Sequence, residues 1–172
     1  MAAALGGAAA LALIVAAAVT SGLAPALLPT EGGAISGESA SGDVVPAVFD
    51  QTVTYDDGLQ LQVTEPVPFT PSPGATGAGA GADFVVTITV YNGTAEAFLP
   101  AWASSVTVDG VPLASVIDPA SGILDSPPSE QIPLGQTVSY RAGFALPVGV
   151  DEPTVQYDIS PSPEHLAARF TR

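Results

Sequence analysis

With 172 residues, no cysteine and a formal charge of −14, the chain has the length of one domain plus appendages. It has no route to a disulfide, a thiolate nucleophile, a zinc–thiolate site or a lipid-modified cysteine. Seventeen carboxylates face three arginines (Arg141, Arg169 and Arg172) and no lysine, a balance that repels nucleic acid and anionic lipid and serves solubility.

From Met1 to Val19 no residue is charged, and the apolar run continues through Thr20, Ser21 and Gly22 to Leu28. A helix of about 20 residues crosses a bilayer core, so this length suffices. Ala and Gly dominate the run, and Ala24-Pro25-Ala26 places small residues where a signal peptidase reads. Residues 1–28 are therefore expected to be a transmembrane helix or a signal peptide cleaved after Ala26. The positively charged flank of such segments is missing, which a start upstream of Met1 would explain. Residues 29–43 are rich in Gly, Ser and Glu and lack aromatics, too polar to offset ordering entropy, and are expected to form a disordered tether.

The folded domain is expected over residues 44–172, where the apolar period switches to two. Gln51–Tyr55 alternates, Asp56-Asp57-Gly58 marks a turn, and Leu59–Thr64 alternates again, which together read as a hairpin. Pro66 and Pro68 end that second strand. Pro71–Ala82 (PSPGATGAGAGA) has no side chains to pack and lacks the Lys or Ser/Thr of a phosphate loop, so it is expected to be a plain flexible loop. Asp83–Tyr91 is β-branched and aromatic almost throughout, stops at Asn92-Gly93, and suits a central strand. A short hairpin follows, Ser105–Val108 and Val111–Leu113 around Asp109-Gly110. Residues 117–132 read as loop, Thr137–Leu146 as a long strand and Thr154–Ile159 as another. The tail Pro163–Phe170 fits one helical turn or a final edge strand. About seven short strands between Gly/Pro turns, with no convincing helix in the domain, predict an all-β, immunoglobulin-like sandwich.

Residues that bear chemistry are few. His165, the single histidine, sits near the C-terminus with no G-x-S-x-G elbow, and is expected to be a surface residue. Trp102 is expected to pack into the core, with an exposed recognition aromatic as the alternative. A carboxylate-pair hydrolase needs acids that meet in the fold, which seventeen scattered acids leave open. Asp56-Asp57 and Asp151-Glu152 read as turn residues, and inter-strand calcium at Asp56, Asp57 or Asp109 is a minor alternative to that. The residue usage, high in Ala, Gly, Pro and Val without lysine, is that of a GC-rich bacterial genome. Asn92-Gly93-Thr94 is accordingly read as a turn and not a glycosylation acceptor. No catalytic, cofactor-binding or metal residue is assigned.

Three stretches carry a resemblance: Phe84–Thr94 (FVVTITVYNGT), Val106–Gly110 (VTVDG), and Ile132–Pro147 (IPLGQTVSYRAGFALP). In that order, the segment from Val53 to Ile159 resembles a family of bacterial immunoglobulin-like domains of unknown function, often called telokin-like. Its members are secreted proteins or envelope-anchored lipoproteins of Gram-positive bacteria. The third stretch departs slightly from the family's L-x-P-G-x-T in reading Pro-Leu-Gly, and the lipobox cysteine is absent. The resemblance implies fold and an extracytoplasmic setting, and transfers no site. The expected function is thus an exported, non-enzymatic module at the cell envelope. It would bind a protein or other ligand through loops or sheet edges, and contact membrane through residues 1–28 if these are retained. An envelope hydrolase using paired carboxylates and a purely structural surface spacer or antigen are the alternatives.

Overall fold

The computed structural model describes residues 35–36, 44–79, 81–124, 126–149 and 154–172. The apolar helix expected over residues 1–28 lies outside them, as does most of the tether expected over 29–43. Among the described residues no helix is long and apolar enough to cross a membrane.

The described chain is all-β. Its strands are β1 (Ile35–Ser36), β2 (Val45–Val48), β3 (Thr52–Thr54), β4 (Leu59–Val63), β5 (Val67–Phe69), β6 (Asp83–Asn92), β7 (Ala103–Val108), β8 (Val111–Pro112), β9 (Ala114–Val116), β10 (Thr137–Ala145), β11 (Val155–Ser160) and β12 (Ala168–Thr171). They form two sheets. The larger runs β1-β3-β4-β6-β10-β9, with β5 also on β6, and the smaller runs β2-β12-β11-β7-β8. Both sheets contribute to one buried cluster. Leu59, Leu61 and Val63 of β4 and Ile88 and Val90 of β6 share it with Val106 of β7, Ile159 of β11 and Phe170 of β12, which makes the arrangement sandwich-like. Phe144 of β10 meets Tyr157 of β11 edge-on at 5.7 Å, joining the sheets through aromatic contact.

The alternating segments became strands because one face of each had an apolar partner to cover it. Buried and partly exposed residues alternate along β4 and β11 as a period of two requires. Both expected hairpins form, β3–β4 and β7–β8. Asp109 (φ 50°) and Gly110 (φ 81°) give the second the paired left-handed residues of a type I′ turn.

Several segments depart from expectation. More strands form than the seven expected, because short pieces gain ladder bonds from long neighbours. β5 carries Pro68 yet pairs with β6, as proline can in a strand short of a full ladder. The join between β4 and β5 is held by Thr64. Its N–H donates to Thr87 O (3.0 Å), and its Oγ1 accepts the Thr87 N–H (2.9 Å) where a carbonyl would normally stand. Ala114–Val116, unassigned in the sequence, is β9 on the outer side of β10. The tail resolves as β12, which is an interior strand between β11 and β2 rather than an edge. Ile35–Ser36, within the stretch expected as tether, pairs in parallel with β3.

The glycine-rich loop is pinned, not plain. Asp118, fully buried, accepts hydrogen bonds from the Ser72 N–H (2.8 Å) and Ser72 hydroxyl (2.7 Å), and from the Ser121 hydroxyl (2.8 Å). Thr76 bridges to Ile117, and a Cβ built at Gly77 would sit 2.1 Å from the Ser115 carbonyl oxygen. Glycine there serves close backbone approach to β9.

Candidate functional site

Loops from both sheets converge at the end of the fold where β11 finishes and β12 begins. The β3–β4 turn, the β6–β7 connection, the segment before β10 and the β11–β12 connection all meet there. Two backbones touch directly. A Cβ at Gly58 would lie 2.6 Å from Gly93 O, and one at Gly93 would lie 2.4 Å from Gly58 O, so only glycine fits at either turn.

Asn92 organises the β6–β7 connection. It is fully buried, and its amide donates to Glu96 O (2.9 Å) and Ile132 O (2.8 Å). Its Oδ1 accepts from the Thr94 N–H (3.0 Å) and the Thr94 hydroxyl (2.8 Å). The turn reading of Asn92-Gly93-Thr94 therefore stands, and the amide that glycosylation would modify is already engaged on both hydrogens.

His165 differs most from expectation. Its side chain is only 10% exposed, held edge-on between Tyr55 (centroids 4.7 Å apart) and Phe98 (5.7 Å). Nδ1 lies 2.6 Å from Ser162 Oγ and Nε2 lies 3.0 Å from Asp57 Oδ2. With Asp57 ionised, the consistent tautomer donates from Nε2 to Asp57 and accepts the Ser162 hydroxyl proton at Nδ1. Ser162 Oγ in turn accepts the Glu164 N–H at 3.3 Å. His165 is therefore not the surface residue expected: a turn at Ser162–His165 and a carboxylate 108 residues away in sequence fix it. The Tyr55 hydroxyl donates to Leu166 O (3.0 Å), and burial, with the Asp57 charge adding to it, raises its pKa so that it stays a donor.

A serine, a histidine and an aspartate in one hydrogen-bonded row carry the elements of nucleophile activation. Here Ser162 and His165 lie three residues apart in one turn, and the serine is buried with its oxygen engaged by a backbone N–H. The row closes the turn and joins the two sheets at this end. Flanking it are two open hollows, one of about 270 Å³ over Tyr55, Asp56 and Leu166, the other of about 330 Å³ over Thr94, Phe98, Leu99 and Pro163; Asp57, Glu164 and His165 line both.

The other residues singled out in the sequence fall elsewhere. Trp102 packs against the core, 5.3 Å from the Tyr140 ring, with its indole N–H donating to Pro128 O (2.7 Å). Asp109 lies at the opposite end of β11 from Ser162, next to Thr154, so it does not join Asp56 and Asp57. Asp151 and Glu152 lie outside the described residues. No group of three or more potential metal ligands occurs among the described residues. The hollows were missed because the segments that line them are far apart in sequence, and Ser162 because the S-P-E-H turn gains its meaning only when Asp57, 108 residues from His165, is placed against it.

Comparison with known proteins finds no matching family model, no matching curated protein and no matching solved structure.

Proposed function

We propose that the protein is an exported, non-enzymatic immunoglobulin-like module of the cell envelope that binds a partner through the loops at the His165 end. The observation that carries this reading is the convergence of four loop segments on open hollows beside the exposed Leu99, on a frame locked by Asn92 and His165. Rigid scaffolds that gather loops at one end commonly use them for recognition. The order β4-β6-β10-β9 facing β12-β11-β7-β8 matches the ABED and GFC-type sheets of immunoglobulin folds, which supports the finer fold reading. Export rests on the uncharged run of residues 1–19.

Two measurements test this. Mass spectrometry of the chain from its native cell should find a product starting at Leu27, or an intact Met1 in the membrane fraction; an intact chain in the cytosol overturns export. Capture from an envelope extract should retain a partner, with ester and glycoside hydrolysis no faster than buffer.

The Ser162–His165–Asp57 row favours one second reading, a hydrolase. Hydrolysis abolished by Ser162→Ala would establish it in place of the first.

A further inference from the structure

Resting on the binding-module reading, we infer that the larger hollow at the His165 end docks a basic peptide segment of a different protein, a Lys or Arg beside an apolar side chain. The apolar half of the surface is Leu99, 62% exposed, with Phe98 and Pro163 in the same hollow. The charged half is Asp57 and Glu164 on its wall, with Asp56 across His165 in the adjoining hollow. Asp57 already holds His165, whereas Asp56 and Glu164 have no ion pair among the described residues.

The chain's own three arginines are held elsewhere in the fold. Arg141 donates to Ser121 O, Arg169 forms a two-point pair with Asp158 (2.9 and 2.8 Å), and Arg172 pairs with Glu65 (3.1 Å). A second copy would bring the same engaged arginines and a further charge of −14, so self-association through this face is opposed. The acids do not form a three-ligand group, so a point cation is poorly held. Carboxylates that share one hollow with an exposed leucine instead match a segment that sets a cationic side chain beside an apolar one. Electrostatic complementarity of this kind sets register and speeds encounter.

The test uses the full chain, ¹⁵N-labelled, titrated with the capped peptide Gly-Leu-Arg-Leu-Lys-Gly and with a control in which Glu replaces Arg and Lys. The basic peptide should shift the amide signals of Thr94, Leu99 and Glu164, and the acidic control should shift none. Leu99→Ser and Glu164→Gln should each weaken binding roughly threefold to fivefold, as rim contacts do. Raising the salt concentration should weaken it further. Shifts confined to the Asp109 end, equal binding of the acidic control, or no binding of either peptide would overturn this site. If the chain carrying both Leu99→Ser and Glu164→Gln captures a partner from an envelope extract as well as the unsubstituted chain does, the site falls while the binding-module reading stands.

Discussion

Asp118 and Asp57 each tie a loop to the body of the fold, and the two carboxylates end in opposite surroundings. Asp118 is fully buried and saturated by Ser72 and Ser121, with nothing left to offer solvent. Asp57 is 46% exposed, holds His165 on one oxygen and the Leu59 N–H on the other, and sits between two hollows. The lesson is that a carboxylate consumed by its own loop reads as architecture. One that stays at the surface, beside an exposed leucine and acids with no ion pair among the described residues, remains open to solvent.

The comparison can be broken from the hub that holds the open end. Asn92→Ala should have the largest effect, about 3 kcal/mol in chemical denaturation, because it removes every hydrogen bond of a fully buried amide, those donated to Glu96 O and Ile132 O and those accepted from Thr94. His165→Ala should cost about 1–2 kcal/mol by removing the ring between Tyr55 and Phe98 and freeing Ser162. Asp57→Asn, at an exposed position that keeps an acceptor, should cost only about 0.5 kcal/mol in the same measurement. If Asp57→Asn proves as damaging as Asn92→Ala, the open end is architecture as well.

Acid titration sharpens the other half. The Ser72 amide, then the Ser72 hydroxyl, pull the Asp118 pKa down to about 2 against the opposing effect of burial, with Ser121 assisting. A carboxylate depressed in the folded state contributes stability above its unfolded pKa of about 3.9 and loses that contribution as pH falls through the folded value. Stability should therefore fall between about pH 4 and pH 2, and Asp118→Asn should flatten that slope while lowering stability at neutral pH. An unchanged slope in the variant would remove Asp118 from the account.

Much of the fold was legible in the sequence for local reasons. β4 and β6 announce themselves by alternation or β-branched density, and the turns at Asp57-Gly58 and Asp109-Gly110 by residues that accept positive φ or local side-chain bonds. What was not legible depends on distance along the chain. His165 finds Asp57 only after both sheets have formed, so its burial has no sequence signal. Gly77 looks like flexibility until the Ser115 carbonyl is placed against it. β12 is too short to declare itself and is a strand because β11 and β2 offer it ladders on both sides.

The placement of β12 also sets an order of events. Among the described residues the first strand of the smaller sheet, β2, pairs only with residues 168–171, and pairs in parallel. That sheet cannot close until residues 168–171 have been synthesised, and the separation in sequence makes the closing step slow. Until then β2 and β11 present unpaired edges, so the nascent protein spends its early life as an unfinished chain. Deleting Ala168–Thr171 would lengthen that state indefinitely.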